Sequence, residues 1–432
     1  MHDFHYAGSR LFCERVSIES LVKKFGTPLY VYSQHTLTDH YQKLERALAP
    51  LDHLICFAAK ANSNLAVLRA LANLGSGFDT VSEGELRRVR AAGGDLRQCV
   101  FAGVGKTERE IEFALRAGIY SFNVESEPEL QRINKVAARL KKIAPVAVRV
   151  NPNVDAGTHA KITTGTYENK FGIAFEQVEG VYARASKLKN LRLRGLQMHI
   201  GSQLTAVKPF ELAVKKVLPL VQKLAAKHAF EFFSIGGGLG IVYDPALNSG
   251  AKEWWQQPRA KKILTPQSYA SRLVPLLQPL GLRILIEPGR FICGNAGILV
   301  TRVEYVKKTG RKNFVIVDAA MNDLLRPALY GAYHPIVALR RSHGGRVGLD
   351  VVGPVCETAD CFAKGRRMPW PHPGDLWAIL KVGAYGFSMS SQYNSRPRPP
   401  EVLVTGSSWR VIRARESFED LVRHERLVHA KR

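Results

Sequence analysis

Leu54-Ile55-Cys56-Phe57-Ala58-Ala59-Lys60-Ala61-Asn62 is an apolar run of strand length that ends on a lysine and opens into a helix-patterned segment. A lysine in that place has two readings. Its flexible stem can carry the ammonium from the strand end out to water, which is the commoner case for a lysine taken alone. Otherwise burial at the mouth of an apolar strand lowers its pKa until the free amine is a nucleophile, able to form an imine with a carbonyl compound. The choice between them depends on what the rest of the chain brings to the same place.

Outward from this unit the pattern repeats. Apolar strands near 54–59, 77–79, 99–102, 120–123, 146–150, 194–199, 231–235 and 283–287 alternate with helix-patterned stretches near 62–74, 82–92, 107–117, 126–142, 176–188, 208–227 and 266–280. Eight such units in about 250 residues fit a TIM (β/α)8 barrel better than an open doubly wound sheet. Active sites of that architecture collect at the C-terminal strand ends. Here those ends carry Lys60, Asp79, Asn123, Arg149 to Asn151, His199 to Ser202, Gly236 to Gly238, and Glu287 to Arg290. Polar residues from separate strands therefore converge on one rim.

Past about 294 the helical period largely stops. Strands are expected at Ile298–Val306, Asn313–Val317, Val347–Val352, Leu376–Val382, Val402–Val404 and Trp409–Ile412, with a short charged helix at Ser417–Arg426. Thr27–Ser33, a strand after a short amphipathic helix, is expected to join that sheet. The expected fold class is thus α/β: a barrel over 36–293, and a mostly β domain made of 1–35 and 294–432. The longest irregular insertion is 244–265, with Trp254-Trp255 and Arg259 to Lys262, read as an ordered surface loop rather than a nucleic-acid stacking platform.

The 432 residues, 46% of them hydrophobic, suffice for a large core. Lys and Arg number 62 against 37 Asp and Glu, a formal charge of +25. Basic pairs such as Lys141-Lys142 and Arg340-Arg341 are short and scattered, with no zinc-finger spacing or RNP-type motif. The charge reads as a solvated surface, and no nucleic-acid partner is expected. Six cysteines without a CxxC form no dense disulfide framework and suit a reducing compartment. With no apolar leader at Met1 to His5 and no run long enough to span a bilayer, a soluble cytoplasmic protein is expected.

Gly236-Gly237-Gly238-Leu239-Gly240 follows an apolar strand. Such a run is either a tight turn or a cradle whose backbone N–H groups close on a phosphate, and late-strand loops of barrels are recurrent phosphate sites. An imine-forming lysine, a phosphate cradle and an acid from another strand are together satisfied by pyridoxal 5'-phosphate. Lys60 takes its aldehyde, the glycines its phosphate, and Glu287 faces its pyridine nitrogen and keeps it protonated. Glu287 could equally pair with Arg290. His199 is expected to stack on the ring rather than bind metal, or else to be a core histidine satisfied by a carbonyl. No metal site is expected.

Several motifs carry a family resemblance. They are Phe57 to Asn62, Gly77 to Ser82 with Gly84 to Leu86, His199 to Gln203, Gly236 to Gly240, Glu287 to Arg290, Met321 to Tyr330, Gly353 to Thr358 and Gly383 to Gly386. As an ordered set spanning nearly the whole chain, they resemble the pyridoxal-phosphate decarboxylases of the alanine-racemase fold, and most closely the diaminopimelate-specific branch. Thr358 where Ser is usual and Glu83 where Gly is common are the departures.

The resemblance implies roles that spacing does not show. Lys60 becomes the covalent anchor of the cofactor. Asp79, His199, Ser202, Gly236, Gly237, Gly238, Glu287, Gly289, Arg290 and Tyr385 hold it. Arg290, Arg326, Tyr330, Glu357 and Tyr385 surround the substrate, and Cys356 returns a proton to Cα. A homodimer is implied, with Cys356 and Glu357 acting in the partner's site. A diamino acid with a carboxylate at each end asks for arginines and an acid at its distal head, whereas ornithine or lysine asks for acids alone. The expected reaction is therefore decarboxylation of meso-2,6-diaminopimelate to L-lysine. Decarboxylation of ornithine, arginine or carboxynorspermidine, amino-acid racemisation, and a non-catalytic cofactor carrier are the alternatives.

Overall fold

The computed structural model describes residues 2–154, 170–243, 263–341 and 344–427. Trp254, Trp255 and Arg259 to Lys262 of the expected insertion lie outside the described residues. The chain divides into two units, Leu37–Gly294 and Met1–Thr36 with Asn295–Arg432.

The first is a closed barrel of eight parallel strands: His53–Ala58, Gly77–Thr80, Cys99–Phe101, Ser121–Val124, Ala144–Asn151, Leu191–Met198, Phe232–Ser234 and Arg283–Ile286. The eighth closes on the first through Ile284 opposite His53 and Leu285 opposite Leu54. Ile173–Ala174 adds a short strand beside the fifth. Leu54, Cys56, Val100, Ala147, Phe232 and Leu285, from five of the strands, pack into one buried cluster. Filling the interior with side chains is what makes this architecture a solid core rather than a pore.

Just beyond the strand ends, short polar side chains start the helices. Asn64, Ser82, Thr107 and Ser126 each accept a hydrogen bond from a first-turn backbone N–H. Such caps satisfy donors that a helix cannot satisfy itself, and they fix where the connecting turn ends. The turns that carry the rim residues are therefore short and held at both ends.

The second unit is mainly β. Leu29–Ser33 runs antiparallel to Gly297–Val300 and parallel to Glu401–Val404, so the N-terminal strand does join the C-terminal sheet. Phe4–Ala7, Arg10–Cys13 and Val16–Ser17 form a small antiparallel sheet. Leu11, Cys13, Val16, Leu29, Val31, Ile298 and Val402 share one core cluster. This small sheet and the strand Cys361–Pro369 have no counterpart in the sequence reading. Lys364, Arg366 and Arg367 interrupt the apolar alternation of Cys361–Pro369, and its pairing with Arg346–Val352, not its own pattern, makes it a strand.

Gly195 in the sixth strand lies at a close approach within the barrel wall. A Cβ there would lie 2.2 Å from the Phe232 carbonyl oxygen, at a point where the register against the fifth strand slips. A backbone atom cannot yield as a side-chain tip can. Gly195→Ala should lower the thermal midpoint in calorimetry by about 5 °C or more, the expectation for an overpacking cost of about 2–3 kcal/mol. Gly310→Ala, where a Cβ meets nothing within 4 Å, should leave the midpoint unchanged.

Candidate active site

The first strand ends at Ala58, and a single turn, Ala59–Ala61, carries Lys60 onto the barrel mouth. Its Nζ lies 2.6 Å from Asp79 Oδ2 at the end of the second strand. The Asp79 side chain is 2% exposed, but that of Lys60 is 43% exposed. This corrects the expectation of a desolvated amine. The turn lifts the stem out of the apolar strand, and the ammonium meets both solvent and a carboxylate.

The buried acid of the site is Glu287. Asn123 Nδ2 and Ser234 Oγ donate to its Oε1 at 3.1 and 2.8 Å, and Gln197 Nε2 donates to Oε2 at 3.0 Å. Arg290 is not among these partners; its guanidinium reaches Tyr243 Oη at 3.1 Å and Ser202 Oγ at 3.4 Å. The alternative in which Glu287 pairs with its turn neighbour is thereby set aside. Burial, first, and the nearby Asp79 carboxylate, second, push the Glu287 carboxyl up to about 7, against the pull of its hydrogen bonds and of Lys60. Asp79 and Lys60 are thus close enough to Glu287 to act on its charge.

The glycine loop rests on both neighbouring strands. A Cβ on Gly236, Gly237 or Gly238 would lie 2.2 Å from Met198 O, 2.1 Å from Glu287 O and 2.4 Å from Gly201 O. Gly236 and Gly238 also have positive φ, +70° and +107°. Only glycine permits this backbone. Gly237 N donates to His199 Nδ1 at 3.1 Å, so the ring proton sits on Nε2. Desolvation, then the cations of Arg149 and Lys60, hold the imidazole well below its ordinary range and keep it neutral.

Lys60, Asp79, His199, Ser202, Gly236 to Gly238, Glu287, Gly289 and Arg290 all belong to the barrel unit. Arg326, Tyr330, Cys356, Glu357 and Tyr385 belong to the other. There Arg326 is buried at the start of the short helix Arg326–Tyr330. Cys356 and Glu357 are exposed on a loop whose base is clamped by the buried Asp360, which accepts from Met321 N at 2.7 Å and Val355 N at 2.8 Å. Cys356 N donates to Asn394 Oδ1 at 2.9 Å. Tyr385 has a positive φ of 57°. Among the described residues no cluster of histidine, cysteine and acidic side chains could hold a metal ion.

A model of the pyridoxal-binding domain of pyridoxal-dependent decarboxylases matches residues 34–294. This chain belongs to that family. Diaminopimelate decarboxylases of Neisseria meningitidis serogroup B and Vibrio cholerae are each 49% identical to it, over 96% and 98% of this decarboxylase and 97% and 98% of their own lengths. The crystal structure of the Helicobacter pylori diaminopimelate decarboxylase complexed with L-lysine superposes with a TM-score of 0.87 at 42% identity, covering 94% of this chain and 98% of that one. The cofactor of this decarboxylase is pyridoxal 5'-phosphate.

Its barrel mouth fits that group. An amine stands at the rim, an all-glycine loop packs its backbone tightly against the neighbouring strand ends beside it, and a buried carboxyl is there to face a heterocyclic nitrogen. Asn123 and Gln197 turn their N–H sides to Glu287, and the Oδ1 of one and the Oε1 of the other are buried without a hydrogen-bond partner. Gln197 and Ser234 are functional residues that the sequence reading missed. Their signal was one polar residue inside an apolar strand, Leu196-Gln197-Met198 and Phe233-Ser234-Ile235. Asn123 was placed on the rim, but with no role.

A carboxyl raised from 4.5 to about 7 makes the folded apoprotein hold a proton that the unfolded chain has already released. Stability from this group therefore falls as pH rises through about 4.5–7 and is flat above. In Glu287→Gln apoprotein that loss disappears. The midpoint of the variant relative to wild type, followed by thermal melts from pH 5 to pH 8, should rise by several degrees.

Proposed function

We propose that this decarboxylase converts meso-2,6-diaminopimelate to L-lysine and carbon dioxide, as a homodimer in the cytoplasm. The observation that carries the reading is the meeting at one barrel mouth of the Lys60–Asp79 pair, buried Glu287 and the His199–Gly237 contact, in a chain 49% identical to named diaminopimelate decarboxylases. All six cysteines are free thiols, which suits a reducing compartment. Among the described residues no helix is long and apolar enough to cross a membrane.

When bound, pyridoxal 5'-phosphate supplies an electron sink for the pair left on the substrate Cα as its carboxylate departs. The residues supply the rest. Lys60 Nζ is the covalent anchor, and Asp79 holds that amine at the mouth. Glu287 would face the pyridine nitrogen, where its carboxylate would hold the ring proton. The glycine loop, with Ser202, Gly289 and Arg290, would hold the phosphate, the N–H groups of Gly236 and Gly237 being already engaged by Ser234 Oγ and His199 Nδ1. His199, a neutral imidazole, would lie against the ring and add no charge there.

Arg290 of one unit and Arg326 of the other are assigned to the substrate carboxylates, Tyr330 and Tyr385 to further substrate contacts, and Glu357 to the distal ammonium. Cys356 gives its thiol proton to Cα after carbon dioxide leaves. The exposure of Cys356 and Glu357 on one clamped loop suits delivery into the site of the partner copy.

Holoenzyme assayed on a panel of amino acids should release carbon dioxide and L-lysine from meso-diaminopimelate. Release from ornithine, arginine or carboxynorspermidine but not from diaminopimelate would overturn the substrate. Lys60→Ala should lose both lysine formation and the cofactor's visible absorption. Cys356→Ala should keep the absorption and form lysine about 10²–10⁴ times more slowly, the range for a displaced general acid.

A further inference from the structure

Arg326 has a neighbour whose state can be deduced from the contacts of its two ring nitrogens. His334 is 1% exposed. Its Nδ1 lies 3.0 Å from the carbonyl oxygen of Leu380, and its Nε2 lies 2.8 Å from Arg326 Nη1. A carbonyl oxygen only accepts, so Nδ1 carries the hydrogen. A guanidinium nitrogen only donates, so Nε2 carries the lone pair. Both nitrogens are thereby fixed, and the ring is a neutral imidazole serving as acceptor to Arg326.

The ring is well placed to hold a direction. His334 lies two residues before the strand Ile336–Ala338, which pairs with Leu376–Leu380 through Ile336 opposite Ile379. Leu380 N donates to Pro335 O at 2.8 Å, and Arg366 Nη1 donates to His334 O at 3.0 Å. The backbone on either side of the imidazole is thus tied into the sheet. By contrast Arg326 sits on a helix of five residues, too short to orient a long side chain by itself.

We infer that His334 is a positioning residue that fixes the Arg326 guanidinium for the substrate carboxylate, an inference that rests on the substrate-binding role of Arg326 given above. The choice of imidazole matters. A carboxylate in the same place would orient the guanidinium equally well but cancel the charge meant for the substrate. A neutral acceptor orients it and leaves the charge.

Asn and Gln separate the two halves of the imidazole. His334→Gln keeps an acceptor near the Nε2 position, and His334→Asn keeps a donor near the Nδ1 position but is too short to reach Arg326. In steady-state kinetics of holoenzyme on meso-diaminopimelate, His334→Asn should raise KM about 10–100-fold with a much smaller change in kcat, the range for one lost hydrogen bond to a charged group. His334→Gln should stay within about threefold of wild type in KM. Cofactor absorption and thermal midpoint confirm that both variants are loaded and folded. Equal KM values for the two variants, or the reverse order, would overturn the inference while the functional reading stands. Wild-type enzyme inactive on every amino acid of the panel would overturn the functional reading and this inference with it.

Discussion

The site depends on a carboxylate placed where water cannot reach it. Glu287 is held by Asn123 of the fourth barrel strand, Gln197 of the sixth and Ser234 of the seventh, and it extends the eighth itself. Its backbone N–H donates to Gly236 O at 2.8 Å, and its carbonyl oxygen lies where a Cβ on Gly237 would be. One residue therefore sets both the acid and the glycine loop. Burying an ionised carboxyl is costly unless it is hydrogen-bonded or protonated. Three donors and a raised pKa meet that cost in both ways.

Around this centre the third strand has a supporting part. It offers no rim residue in the sequence pattern, yet Lys106 beyond it is buried, with Nζ 2.9 Å from Asn123 O and 2.7 Å from Glu129 Oε1. Glu129 in turn accepts from Glu125 N at 2.9 Å, and Glu125 pairs with buried Arg149 at 2.8 Å. Such buried pairs contribute little net stability against hydrophobic equivalents, but removing one partner strands the other. Their effect here is to hold the ends of the third, fourth and fifth strands in one arrangement. Asn123 is in that chain by its backbone and on Glu287 by its side chain.

The barrel was legible because strand and helix periods alternate from Leu54 to Ile286 around one long insertion at 244–265, and because the rim residues fall where a barrel puts chemistry. Lys60, Asp79, His199, the glycines and Glu287 could each be named from position alone. What could not be read was environment. The same apolar run that announces the first strand suggested a desolvated Lys60, and one turn of three residues reverses that. Gln197 and Ser234 look like ordinary interruptions of apolar strands until their partner on another strand is known. Cys361–Pro369 is a strand by virtue of its neighbour, and Arg326 meets His334 through a sheet whose register no local pattern specifies. Long-range partners, rather than local propensity, account for nearly all that was missed.

Two histidines show one device used twice. His199 accepts from Gly237 N through Nδ1, and His334 accepts from Arg326 through Nε2 while Leu380 O takes the hydrogen on Nδ1. The tautomers are opposite, but the logic is the same. In each case a donor beside a proposed anion site, the Gly237 N–H or the Arg326 guanidinium, meets an acceptor that carries no charge. A cofactor phosphate and a dicarboxylate substrate both bring negative charge to this protein. An aspartate or glutamate in either place would orient as well and repel the ligand, so neutral imidazole is the acceptor compatible with both tasks.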